Sequence, residues 1–207
     1  MALHRLDHPL LHDIMARLRD RDTPSDEFRA LAYRISLFLT IEATRDLGTR
    51  EAMVTTPLAT ARGRRLDARV VAVPVLRAGL GMLGAFLDVV PSARVGYFGL
   101  ERDERTAVAR RYYEKVPERL RDAVVYLLDP MLATGGSAVL AVDGLRERGA
   151  RGVRFLSIVA APEGLERLAA VAPDAEIYTA AVDAGLDARK YIVPGLGDFG
   201  DRLYGTT

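Results

Sequence analysis

Three stretches of the chain carry residues whose types and spacing suit chemistry. In the first, the apolar run Ala123–Leu128 stops at a carboxylate, Asp129, and a small-residue loop follows, Ala133-Thr134-Gly135-Gly136-Ser137, before a segment of helical spacing. A glycine turn into a helix aims backbone N–H groups, a hydroxyl and the helix N-terminus at one point, which suits a phosphate monoester. Asp129 can accept hydrogen bonds from sugar hydroxyls. In the second, Arg77 stands in a turn with Gly79 and Gly81 close behind. A guanidinium there can hold a diphosphate bidentately, and the glycines allow close backbone approach. In the third, Tyr191–Asp201 contains three glycines, one proline and two carboxylates. That composition reads as a shaped loop rather than a regular helix. Its backbone N–H and C=O groups can read the polar edge of a planar amide such as a pyrimidine. Each stretch also has a plain reading: a packed βα turn, a surface arginine, and a loop with turn glycines.

The elements that must position these residues follow from hydrophobic periodicity. Val70–Val75, Arg94–Gly99, Ala123–Leu128, Val153–Val159 and Ala175–Ala181 read as buried strands. Residues 79–90, 137–148 and 163–172 read as helices between them, with Gly149 at the C-cap position of the second. Such alternation predicts an α/β fold with a mainly parallel sheet flanked by helices. Ligands of such sheets bind outside the carboxyl ends of the strands, where the first two stretches begin. Upstream, residues 9–22 read as a helix. Ser25 reads as the N-cap of a second helix running to about Asp46 and closed by Gly48. Residues 49–68, basic around Arg62-Gly63-Arg64-Arg65, read as a solvated surface hairpin. Residues 103–118 read as a charged excursion, with Tyr112 and Tyr113 suited to cross-strand packing or a subunit contact. The expected organisation is a single domain over 1–207: an N-terminal helical arm (1–48), an α/β core (69–185) and a loop and tail (186–207).

Composition narrows the function. A chain of 207 residues, 49% hydrophobic, suits one globular core. A net charge of +1 leaves no bulk basicity to favour nucleic acid. No apolar run approaches a membrane span, and the first residues hold no apolar signal core. The expected location is the cytoplasm. Cysteine is absent, which excludes thiol catalysis, disulfides and cysteine metal sites. The three histidines, His4, His8 and His12, share a four-residue spacing, but Pro9 interrupts any helix that would align them as metal ligands.

The string Asp129-Pro130-Met131-Leu132-Ala133-Thr134-Gly135-Gly136-Ser137 resembles the phosphoribosyl-diphosphate (PRPP) loop of type I phosphoribosyltransferases. Its Asp-Pro opening is similar to the uracil phosphoribosyltransferase version, where most of the superfamily carries two acidic residues. Val75–Met82 resembles that family's diphosphate loop, and Tyr191–Asp201 its uracil-binding loop. The resemblance runs from His8 to Thr207. It implies the type I phosphoribosyltransferase fold with a flap hairpin, and the reaction of uracil with PRPP to give UMP and diphosphate in pyrimidine salvage. It carries over Arg77, Arg102, Asp198 and every residue of 129–137 as PRPP contacts, and Ile192, Gly197, Asp198 and Phe199 as uracil contacts. Arg77, Asp129 and Asp198 are then the residues expected to act in catalysis, Asp198 as acceptor or water-mediated relay of the uracil N1 proton. Mg²⁺ is expected to arrive on PRPP, without direct protein ligands. A homodimer or homotetramer is expected, and some of the family respond to GTP. Two departures stand out. Ala107-Val108-Ala109-Arg110-Arg111 replaces a more acidic flap stretch. Phe199 replaces a small alanine, a change that suits the site only if this position offers its backbone to the base.

Overall fold

The computed structural model describes residues 1–102 and 109–206, with the backbone alone for Glu101, Arg102 and Ala109. Strand β1 (Ala2–Arg5) opens the chain, followed by helices α1 (Pro9–Arg19) and α2 (Ser25–Ala43). Strands β2 (Thr49–Thr55) and β3 (Thr60–Leu66) form a separate antiparallel hairpin. The core begins with β4 (Arg69–Leu76) and α3 (Leu80–Val89), then β5 (Arg94–Val95), β6 (Tyr97–Arg102) and β7 (Ala109–Lys115). After a 3-10 turn at Leu120–Asp122 come β8 (Ala123–Leu128), β9 (Met131–Leu132), α4 (Gly136–Glu147), β10 (Val153–Ala160), α5 (Pro162–Val171) and β11 (Glu176–Val182). The chain closes with β12 (Gly185–Leu186), β13 (Ile192–Val193) and α6 (Phe199–Tyr204).

The main sheet has the order β1-β11-β10-β8-β4-β6-β7, with β5 alongside β4 and β9 alongside β10. Every pairing is parallel except β6 with β7. Alternate side chains of each central strand go to opposite faces. Val70, Ala72, Tyr126, Leu128, Leu156 and Ile158 meet α1, α2, α3 and α6 in one core. Val71, Val73, Val125, Leu127 and Phe155 meet α4 and α5 in the other. Burial on both faces is why these strands read as unbroken apolar runs. The helices read as stripes for the complementary reason: Leu11, Ile14, Met15 and Leu18 of α1 line a single buried face.

From β4 the chain passes through α3 to β6 on one side. From β8 it passes through α4 to β10 on the other. Helices α3 and α4 thus leave adjacent strands for opposite faces, and the carboxyl ends of β4 and β8 flank the crevice at a topological switch point.

Five local expectations need correction. The N-terminal arm is not helical throughout, because Ala2–Arg5 adds a parallel edge strand to β11. Pro24, not Ser25, occupies the N-cap of α2. That helix ends at Ala43, where Thr44 turns its hydroxyl back to the Thr40 carbonyl (2.7 Å). The strand expected at Arg94–Gly99 is broken at Gly96, which packs so tightly on Val116 that a Cβ would lie 2.8 Å from its Cγ1. Finally, residues 199–204 are helical: the Asp198 side chain caps α6 by accepting from Asp201 N (2.9 Å), and Gly205 ends it at φ +66°. The basic segment 49–68 is the expected hairpin.

Candidate active site

The phosphate loop is stitched to β10 before it reaches α4. Asp129 N donates to Leu156 O (3.2 Å), and Pro130 O accepts from Ile158 N, Val159 N (both 3.0 Å) and Ser157 Oγ (3.2 Å). Leu132 O accepts from Ala161 N (2.9 Å). Gly135 then turns at φ +74° into α4. Helix α5 supports the loop from below. A Cβ on Gly164 would sit 2.5 Å from Ala133 O, so only glycine permits this approach. No side chain caps α4 among the described residues. The first amides of a helix have no intrahelical acceptor, so this end of α4 can take an anion. Asp129 is half-buried beside it, its Oδ1 accepting from Met131 N (3.3 Å). Desolvation pushes its carboxyl up to about 7, against the weaker opposing pull of that backbone hydrogen bond.

The arginine turn lies directly against the end of β8. The Leu76–Arg77 peptide is cis, and Gly79 N donates to Val75 O (2.8 Å). A Cβ on Gly79 would lie 2.3 Å from Leu128 O, the carbonyl just before Asp129. The glycine therefore lets the Arg77 turn and the Asp129 carboxylate share one shoulder of the sheet. Arg77 itself is exposed, its guanidinium 5.8 Å from the centre of the Tyr204 ring, while Tyr204 Oη donates to Arg77 O (3.1 Å). Arg102 ends β6, three residues beyond the Gly99 that pairs with Leu76. Its side chain, like the flap residues 103–108, lies outside the described residues.

The third stretch begins where β12 pairs with β13. A cis Val193–Pro194 peptide follows, then Gly195 and Gly197 at φ +61° and +81°. Ile192 is buried, whereas Gly197 and Asp198 are exposed. Phe199 turns inward, 2% exposed, and meets Phe28 edge to face at 5.1 Å. It can offer a base only its backbone. The departure from alanine is thus absorbed by the core.

Sequence reasoning missed what holds this loop. Asp183, the first residue after β11, receives Arg19 in a fork: Nη2 to Oδ1 (2.6 Å) and Nη1 to Oδ2 (2.8 Å). Gly195 N donates to the same Oδ2 (2.8 Å), and Arg19 Nη1 also reaches Gly195 O (2.8 Å). Arg202 donates to Leu196 O (2.9 Å), Leu18 O (2.8 Å) and Asp20 O, and lies 4.4 Å over the Phe28 ring. An acid closing an apolar strand, as at Asp129, was a visible signal for Asp183. Nothing local marks Arg19.

The structure thus joins Arg77 to Asp129 across adjacent strand ends, and the 129–137 loop to the 192–199 loop through β10, where Asp183 N donates to Ala160 O (2.9 Å). Helix α6 joins Asp198, at its start, to the Arg77 turn, at its end. The three histidines do not converge. His4 stacks on Tyr178, His8 caps α1, and His12 pairs with Asp7. Among the described residues no group of three His, Cys, Asp or Glu could hold a metal ion.

The chain is similar to known proteins over nearly its whole length. A family model described as uracil phosphoribosyltransferase matches residues 5–206. A uracil phosphoribosyltransferase of Thermus thermophilus is 49% identical over 207 residues, all of both chains. One from Campylobacter curvus is 47% identical over 97% of each. A solved protein of Aquifex aeolicus covers 99% of both chains at 38% identity with a TM-score of 0.94. A hypoxanthine phosphoribosyltransferase of Trypanosoma cruzi, solved with IMP, covers 79% of this chain and 71% of its own at 12% identity, with a TM-score of 0.50; that likeness is one of fold.

Proposed function

The chain belongs to the uracil phosphoribosyltransferase family, whose members join uracil to PRPP to give UMP and diphosphate, and we propose that it runs this reaction with the residues gathered at the switch point. The observation that supports the residue roles is the contact of the Gly79 turn with the end of β8, which brings the backbone turn carrying Arg77 close to the residue before Asp129. In this reading the 5′-phosphate of PRPP sits on the amides of 133–137 at the start of α4, with Pro130, Met131 and Leu132 holding that loop to β10. Asp129 accepts from the ribose 2′- and 3′-hydroxyls. Arg77 and Arg102 face the diphosphate. The bond between the anomeric carbon and the diphosphate oxygen breaks with its electron pair going to that oxygen, while uracil N1 bonds to the carbon. Cations fixed beside the leaving group stabilise the charge that develops on it. The backbone of Ile192, Gly197 and Phe199 reads the uracil edge. Asp198 takes the N1 proton directly or through water, a role its exposed position permits.

Mg²⁺ fits this site as a passenger on PRPP without direct protein ligands: followed by a proline, Asp129 is a lone acid in its loop, and substrate oxygens would supply the coordination. Bound there, it neutralises diphosphate charge. The reading also includes assembly as a homodimer or homotetramer, a cytoplasmic location and response to GTP, the last through family resemblance alone. Among the described residues no helix is long and apolar enough to cross a membrane.

The test is UMP formation from uracil, PRPP and Mg²⁺, with and without GTP, beside a panel of hypoxanthine, guanine and orotate. Turnover with uracil alone is expected. Turnover with a purine or orotate in preference to uracil, or nucleic-acid binding without turnover, would refute the assignment.

A further inference from the structure

We propose that Asp183 and Arg19, which no substrate is expected to touch, are positioning residues for the base: together they set where the 192–199 loop stands relative to the phosphate loop. This rests on the reading in which that loop takes uracil.

The Asp183 side chain is 6% exposed and that of Arg19 24%. The carboxylate uses both oxygens on a single guanidinium and gives one of them to Gly195 N as well. The same guanidinium's Nη1 donates to both Asp183 Oδ2 and Gly195 O. Both polar groups of the Gly195 backbone are therefore fixed by charged side chains. Gly195 in turn closes tightly on the base position: a Cβ on it would lie 2.1 Å from Ile192 O. Moving Gly195 moves Ile192.

The other end of the connection is the phosphate loop. Asp183 N donates to Ala160 O, and Ala160 pairs with Leu132 in the loop's short strand. The path Leu132, Ala160, Asp183, Gly195 thus spans the two halves of the site through main-chain or charge-assisted bonds alone. A planar fork on a carboxylate fixes direction as well as distance, which apolar packing does not. Ion pairs removed from water add little net stability and are better suited to selecting one geometry. Arg202 makes a second attachment of the same loop, at Leu196, to the same last turn of α1. Uracil binding accordingly depends on α1, a helix with no other role at the site.

The experiment measures KM for uracil and for PRPP separately in the full-length enzyme and in Asp183→Asn and Arg19→Lys, with amide exchange over 192–199 recorded with and without UMP. Losing a charge-assisted bond to Gly195 should raise KM for uracil by about tenfold or more while KM for PRPP stays within about twofold. Arg19→Lys, which keeps the charge but not the fork, should fall between wild type and Asp183→Asn. Should Asp183→Asn fail to fold, Arg19→Gln changes only the more exposed partner and carries the same expectation. Equal shifts in both KM values, or none, alongside UMP protection of 192–199 in the wild type, would overturn the positioning role and leave the base loop standing. Absence of that protection in the wild type would overturn both.

Discussion

At neutral pH the Asp129 carboxyl stands near the middle of its titration, because burial raises it from 3.8 to about 7. The folded protein therefore keeps a proton there that an unfolded chain releases near 3.8. Its contribution to stability is greatest below about pH 4 and is lost as pH rises toward about 7. Asp129→Asn should flatten that part of the melting-temperature profile, as thermal scans between pH 4 and 8 can check. Once ionised, the carboxylate offers both oxygens as strong acceptors to the two ribose hydroxyls, where the neutral acid keeps one O–H donor in their place, so PRPP should bind more tightly as pH rises through about 7 and should expel a proton below it. Calorimetry in two buffers of different ionisation enthalpy should show this release in wild type and a smaller one in Asp129→Asn, with Asp129→Ala binding PRPP about tenfold or more weakly. Asp198 offers a cleaner separation. Its Oδ1 caps α6, and an asparagine oxygen can do the same. Asp198→Asn should then keep the fold and lower kcat by about 10²–10⁴, far more than it weakens PRPP binding. An unchanged kcat would remove Asp198 from proton transfer.

Helix α6 and helix α5 each deliver a prediction of their own. Tyr204→Phe keeps the ring beside Arg77 but removes the hydroxyl that donates to Arg77 O, whereas Tyr204→Leu removes both. KM for PRPP should rise by about threefold to tenfold in the first and further in the second, with KM for uracil less affected. Gly164→Ala should force α5 off the phosphate loop, because the new Cβ would meet Ala133 O. Urea unfolding should show a loss of about 1–3 kcal/mol, and PRPP affinity should fall with it. The elements themselves were legible to unequal degrees. Val70–Val75 and Ala123–Leu128 could be read because burial on two faces leaves an unbroken apolar signature. β1 could not, since Ala2–Arg5 is exposed and becomes a strand only by pairing with β11. α6 is six residues long, too short for a period to appear; its cap and two core residues, Phe199 and Leu203, make it.

Across the whole molecule, what local sequence concealed is distance. Asp129, the 133–137 loop and Arg77 lie at strand ends, where the α/β rule directs attention, and Gly79 and Gly164 mark the close approaches. Arg19 and Asp183 meet across 164 positions, and no window of sequence contains both. The β2–β3 hairpin poses a different question of scale. Among the described residues it pairs only with itself, and it exposes Met53 and Leu58. Two-stranded hairpins are marginal alone in water, so sedimentation should find the dimer or tetramer expected here, and Leu58→Asp should weaken it if the hairpin takes part. The switch point also has a practical reach. It divides the sheet into halves that are nearly contiguous in sequence: β4, β6 and β7 before the exposed Glu118–Arg119 link, and β8, β10 and β11 after it. A chain cut at that link would place Arg77 on one fragment and Asp129, Asp183 and Asp198 on the other. The β4–β8 ladder, the β1–β11 ladder and the Arg19–Asp183 fork would be left to reunite them. Neither piece holds a complete site, so UMP synthesis would become a measure of fragment complementation, rising with fragment concentration.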